Sequence, residues 1–245
     1  MACSYSKLMT PKYIYVMGSE SGVGKSTVCL GILAQLLASG FTADQLAYIK
    51  PVTQCLEKQP VALFCEQQHI AYQDWNSLVF SKGFTKNFID GFTQTSDVLL
   101  ADVVKAIITL GNEKAVVIID GIGDPSVGSV VGVSNVAISR ALACSVIFVG
   151  KSGIGRALDN SVLCVSFMQC QGLEDIGIIY NKVPPDLIFE ITNYVTKRLP
   201  ELLPSVTLLG FMCNNPDSSS FEYGFDTFID RKRLLFEWLK ITIPV

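Results

Sequence analysis

Residues 18–27 read G-S-E-S-G-V-G-K-S-T. Gly22 and Gly24 let a backbone turn tightly, so that successive N–H groups point to one side and cradle phosphate oxygens. Lys25 would add a point charge for the β- and γ-phosphates, and Ser26 a hydroxyl for Mg²⁺. Ser21, Val23 and Thr27 complete the cradle. The apolar run Tyr13–Met17 comes before it and a helix-like segment follows. The positive N-terminus of that helix would face the same anion. The spacing departs from the usual form. Five residues, not four, separate Gly18 from Gly24-Lys25, so Ser19 stands where the first glycine is expected.

Three more segments place chemistry at the ends of apolar runs. Val116–Asp120 ends in a carboxylate able to hold Mg²⁺ directly or through water. Ile49-Lys50-Pro51-Val52 holds a lysine among apolar neighbours, where an unpaired ammonium is costly and an anionic partner would relieve it. Tyr180-Asn181-Lys182-Val183-Pro184-Pro185 offers Asn181, whose amide both donates and accepts, as a purine edge requires; a turn asparagine is the plainer alternative. The loop Gly121–Ser129 brings Gly123 and Asp124 within reach of a ligand. Gly150–Arg156 combines Lys151, Arg156 and three glycines, which suits a carboxylate or phosphate or makes an ordinary basic loop. The one histidine, His69, is expected to be structural or exposed, which leaves a histidine-based mechanism without support.

The rest of the composition narrows the class. Of 245 residues, 49% are apolar and 17% charged, ample for a buried core. A net charge of −3 gives no general attraction to nucleic acid or anionic membrane. Arg231-Lys232-Arg233 is the densest basic cluster and fits a solvated helix face. The eight cysteines occur without a C-x-x-C pair, so they fit buried thiols of a reducing cytosol better than zinc or iron–sulfur sites. The start of the chain lacks the apolar region of a signal peptide, although a short organellar targeting segment remains open. No apolar stretch reaches the length of a membrane span.

The elements that must position these residues follow from periodicity. Tyr13–Met17, Leu46–Ile49, Ala115–Asp120, Ser145–Val149, Ile176–Tyr180 and Val206–Phe211 are Val/Ile-rich without polar alternation, as in strands buried on both faces of a parallel sheet. Helix-like segments lie between them: Lys25–Ser39, Pro60–His69, Asp97–Leu110, Asn135–Leu142, Leu158–Gln171, Asp186–Leu199 and Asp226–Lys240. Residues 72–96 are expected to be loop and short helix over one end of the sheet. The alternation predicts one α/β domain over 1–245, a doubly wound, mostly parallel sheet between helical layers, with its ligand at the carboxyl ends of the strands.

In chain order, Gly18–Thr27, Y-I-K-P-V, V-I-I-D-G-x-G, V-G-K-S-G and Y-N-K-V-P-P resemble the dethiobiotin synthetase family and its relatives from about Tyr13 to Met212. The relatives include an amino-terminal domain of some phosphotransacetylases. That family carries the same five-residue spacing. The partition-ATPase branch has a signature lysine where Glu20 stands here. The resemblance implies a P-loop fold, ATP and Mg²⁺ as cofactors, a homodimer and a small-molecule substrate. It implies that Lys25, Lys50 and Asp120 do the chemistry, Ser26 and Asp120 hold the metal, and Asn181 meets adenine. Departures are specific. The family has Glu at Asp120, Ser at Gln54, and a metal-binding Asp where Val61 falls, with Glu66 a substitute one turn on. Its Gly-Gly becomes Gly123-Asp124, and its proline-framed substrate segment near Phe92–Asp97 is not evident. Gln54, Gly123, Asp124 and Lys151 are therefore the candidate substrate contacts. The implied activity is carboxylation and ureido ring closure of a diamine, or a related ATP-driven ligation; the alternative is a nucleotide-binding regulatory module without carboxylase activity.

Overall fold

A computed structural model describes residues 10–54, 58–74, 78–214 and 232–241. Seven strands form the main sheet: β1 (Lys12–Gly18), β2 (Leu46–Ile49), β4 (Ala71–Gln73), β6 (Val116–Asp120), β7 (Ser145–Lys151), β8 (Ile176–Val183) and β9 (Thr207–Cys213). Their order is β4-β2-β6-β1-β7-β8-β9, and every pair runs parallel. The doubly wound sheet expected from the sequence is present.

Alternate residues of each strand serve opposite faces, because successive side chains point to opposite sides. Ile14, Val16, Tyr48, Ile118 and Ile147 pack under helices α1 (Lys25–Ala38), α2 (Pro60–Gln67) and α8 (Lys232–Leu239). Tyr15, Met17, Ile49, Ile119 and Phe148 pack under α4 (Ser96–Gly111), α5 (Asn135–Ala141), α6 (Gly155–Cys170) and α7 (Ile188–Leu202). Both faces are covered, which is why the strands read as unbroken apolar runs. Each fully buried Ile or Val contributes about 1.5–3 kcal/mol.

Several elements differ from expectation. β4 pairs with β2 at one edge, and β3 (Val52–Thr53) with β5 (Leu78–Val79) as a small parallel ladder; at two or three residues each they are too short for a periodic signal. α3 (Phe84–Ile89) is the short helix of the irregular segment. α6 begins at Gly155, three residues before the apolar pattern suggests, and α7 carries Pro200 near its end. The first part of the last helix candidate, residues 226–231, lies outside the described residues. No described helix is long and apolar enough to cross a membrane.

The chain order reverses around β1, with β6 on one side and β7 on the other. A crevice opens beyond the carboxyl ends of strands at such a switch point. The loop that follows β1 enters α1 there.

Candidate active site

Gly22 and Gly24 both take positive φ, 76° and 96°, which permits the tight entry into α1. Gly24 has a second reason to lack a side chain: a Cβ there would lie 2.2 Å from Asn181 Nδ2. A cavity of about 300 Å³ lies at this end of the sheet. It is lined by Ser21, Gly22, Gly24, Lys25, Ser26 and Thr27 from the loop, by Lys50, Thr53, Gln54 and Gln59, and by Gly121–Gly123. Val23 turns its side chain inward against Gly18, so it serves the loop by packing. Lys25 is only 8% exposed, and its ammonium donates to the Glu20 carbonyl at 3.2 Å. Burial pulls the Lys25 pKa below its ordinary value, although the charge of Asp120 works against this. A phosphate would supply the anionic partner that the burial lacks.

Asp120, 0% exposed, is the centre of the polar network. Its Oδ2 accepts from Ser26 Oγ at 2.7 Å, Tyr48 OH at 3.0 Å and Lys50 Nζ at 3.3 Å. Its Oδ1 is buried without a hydrogen-bond partner. Lys50 is thus paired, as its apolar surroundings demanded. Burial alone would lower its pKa, but the charge of Asp120 and their hydrogen bond prevail and raise it. The Tyr48 hydroxyl has no signal in the sequence, since an apolar strand hides one hydroxyl well. Burial and then the nearby Asp120 charge raise its pKa far above the ordinary value, so it stays a donor.

The loop after β6 is held by another residue that the sequence did not single out, Asn135. This first residue of α5 is buried and uses all its hydrogen-bonding capacity. Oδ1 accepts from Tyr15 OH at 2.9 Å and Ile122 N at 3.2 Å, while Nδ2 donates to the carbonyls of Ile122 at 2.6 Å and Asp124 at 2.5 Å. Gly18 N in turn donates to the Gly123 carbonyl at 3.3 Å, which ties the two loops together.

Other candidates are placed differently. Asn181 is 4% exposed; its Nδ2 donates to the Val23 carbonyl at 3.0 Å and its Oδ1 accepts from Lys182 N at 2.8 Å. Both ends of its amide are engaged with backbone, so it braces the phosphate loop from behind. Lys182 adds a bond to the Gly22 carbonyl at 2.7 Å. Asp124 turns its carboxylate to Ser126 and closes its own turn, and Lys151 pairs with Glu20 at 2.9 Å on the surface. Gln54 and Gly123 do line the cavity. Glu66 is exposed and held by Lys58 and Tyr72, outside the cavity lining, and Val61 is buried in the core face of α2. Neither supplies an acid at the site. His69 is an exposed residue at the turn after α2, with a φ of 59°.

The donor set fits Mg²⁺. This ion takes hard oxygen ligands, usually one or two carboxylates together with waters and substrate phosphates. The orphaned Asp120 Oδ1 and the Ser26 hydroxyl beside the cradle are hard oxygens of the kind this ion takes. Among the described residues no group of three or more His, Cys, Asp or Glu converges as an all-protein cage would.

Comparison with known proteins agrees with this geometry. The chain is 24% identical to the ATP-dependent dethiobiotin synthetase BioD of Anaeromyxobacter sp. (strain K) over 178 residues, 71% of this chain and 78% of that one. Its fold is similar to that of the MinD cell division protein of Aquifex aeolicus, with a TM-score of 0.58 at 13% identity over 96% of this chain and 99% of that chain. A putative plasmid partition protein of Borrelia burgdorferi B31 bound to AMPPNP gives a TM-score of 0.55 at 18% identity over 95% and 100%. The AAA_26 model, an AAA domain, matches residues 12–220. With the glycine loop, its lysine and the parallel sheet in place, the chain belongs to the AAA_26 family of AAA domains and is a P-loop NTPase.

Proposed function

We propose that the protein is an ATP- and Mg²⁺-dependent ligase of the dethiobiotin synthetase kind, acting on a diamine or a close relative. The observation that carries this reading is Lys50. It reaches from the end of β2 to Asp120 and lines the same cavity as Lys25 and Ser26. A lysine from a second strand end beside a phosphate cradle suits phosphoryl transfer to an anionic acceptor.

In the proposed reaction one amine adds to CO₂ and loses a proton, giving a carbamate. A carbamate oxygen attacks the γ-phosphorus, and ADP leaves. The second amine then attacks the carbamate carbon, the C–O bond to phosphate breaks, and ring closure releases phosphate and a proton. The loop N–H groups and Lys25 hold the nucleotide phosphates. Lys50 neutralises charge on the transferring group and orients the carbamate. Gln54 and Gly123 line the same cavity and would meet the acceptor. Ser26 and Asp120 would hold Mg²⁺, which supplies charge neutralisation on the phosphates when bound. A homodimer with the substrate near the subunit interface, and a cytoplasmic location, belong to the same proposal.

A second reading, a nucleotide-binding regulatory module without carboxylase chemistry, draws on Val61, Glu66, Asp124 and Lys151, none of which brings its side chain to the cavity. Incubation with ATP, Mg²⁺, bicarbonate and diaminopelargonate, with ADP measured against time, separates the two. The ligase predicts ADP formation stimulated by the diamine. Nucleotide binding without that stimulation selects the regulatory module, and no binding of ATP or ADP eliminates both.

A further inference from the structure

Among the described residues, three buried side-chain oxygens have no hydrogen-bond partner: Ser19 Oγ, Asp74 Oδ1 and Asp120 Oδ1. Ser19 lies in the phosphate loop and Asp120 at the end of β6 beside it. Asp74 joins them through its position in the sheet. In the sheet, Gln73 of β4 pairs with Ile49 of β2, and Ile49 pairs with Ile119 of β6. The next residue on each chain is Asp74, Lys50 and Asp120. An acid, a lysine and an acid therefore leave the carboxyl edge of three neighbouring strands in a row. The backbone N–H of Lys50 still bonds the Gln73 carbonyl at 2.9 Å, which holds the first two side by side.

Asp74 is 6% exposed. One oxygen accepts from Gln59 N at 3.1 Å, and Gln59 itself lines the phosphate cavity. The other oxygen is bare. The charges of Lys50 and Asp120 both act on Asp74, and burial, the largest influence, raises its pKa. Lys50 already contacts Asp120. A buried carboxylate oxygen in that position calls for a further cation. Two strand spacings of about 4.8 Å separate the acids, a span suited to a hydrated ion rather than one stripped of water.

We infer that Asp74 is the second acidic holder of a divalent cation at this site, accepting hydrogen bonds from the ion's water shell while Asp120 and Ser26 face the ion itself. This rests on the cation reading of Asp120 and Ser26 given above. It also supplies the acid missing at Val61 from a different element, the end of β4.

The test is a titration of Mn²⁺ into the whole protein, alone and with ADP, with free Mn²⁺ read by electron paramagnetic resonance. Asp74→Asn is expected to weaken Mn²⁺ binding about 10-fold or more, as loss of an outer-shell partner does. Its ADP affinity in EDTA should be unchanged. Its cation-free melting temperature should be equal or higher, because a buried unpaired charge is gone. Asp120→Asn is the parallel control. If it weakens Mn²⁺ binding while Asp74→Asn stays within about two-fold of wild type, Asp74 has no part in the site. If neither variant changes Mn²⁺ affinity, the cation reading of Asp120 fails and takes this inference with it. Should Asp74→Asn melt lower, Asp74→Glu decides: Mn²⁺ binding restored by the carboxylate supports the assignment, and binding as weak as in the asparagine variant overturns it.

Discussion

The ammonium of Lys50 lies 3.3 Å from Asp120 Oδ2, joining the carboxyl ends of the neighbouring strands β2 and β6 at the mouth of the phosphate loop. Ser26 and Tyr48 donate to the same oxygen. A lysine of one strand, a carboxylate of the next and the first turn of α1 thus share one polar centre.

That centre separates binding from chemistry. Lys25→Ala removes a charged phosphate contact worth about 1.5–3 kcal/mol, so ATP and ADP affinity should fall about 10- to 100-fold. Lys50→Gln should leave nucleotide affinity nearly intact and lower diamine-stimulated kcat by about 100-fold or more, as loss of a group matched to transition-state charge does. His69→Ala should change neither, since His69 stands on an exposed turn. Calorimetric nucleotide titration beside steady-state ADP release checks all three. Equal activity in Lys25→Ala and His69→Ala would contradict the site assignment.

The loop after Asp120 depends on a close approach. A Cβ at Gly121 would lie 2.6 Å from both Asn135 Oδ1 and Tyr15 Cε1. Gly121→Ala should therefore destabilise by about 1–3 kcal/mol, the usual cost of overpacking. Gly155→Ala, with open space around the added methyl, should instead stabilise by about 0.5–1 kcal/mol through the unfolded chain. Urea unfolding measures both. Similar midpoints for the two variants would show that the Asn135 clamp is not tightly packed.

The thiols make a pH-dependent test. Burial pushes the Cys65 and Cys144 thiols up to about 12. Burial, and then the charge of Asp120, hold Cys29 well above its ordinary value. The folded state binds these protons more tightly than the unfolded state. Their contribution to stability is thus complete below the ordinary thiol value of about 8.5 and is lost as pH rises from there toward the folded values. Iodoacetamide at pH about 8 should label the exposed Cys170 and spare Cys29, Cys65 and Cys144, whose thiolates are scarce and shielded. The melting temperature should decline above pH about 9. Peptide mass mapping and thermal scans against pH provide the check, and rapid labelling of Cys65 in the native protein would refute the buried-thiol account.

Most of the sheet was legible because burial on both faces leaves a direct trace. Runs such as Val116–Asp120 and Ile176–Tyr180 have no polar alternation and sit between helix-length segments. β4 left no such trace, because three residues cannot show a period. Asp74, at its end, was therefore hidden as well. Asn135 was hidden for another reason. Its four hydrogen bonds go mainly to backbone groups of a loop ten or more residues earlier, a pattern that no local spacing encodes.

By itself the sequence determined the phosphate loop, the parallel α/β class and the acids and lysines at strand ends, since backbone turning, periodicity and charge burial are local requirements written in adjacent residues. Only the tertiary structure decided which of those groups meet. Strand order places Lys50 between Asp74 and Asp120. Packing commits Asn181 to the back of the loop, turns Asp124 into its own turn and leaves Glu66 on the surface. These outcomes depend on contacts between residues far apart in the chain, whose register is fixed when the sheet pairs and its two faces are covered.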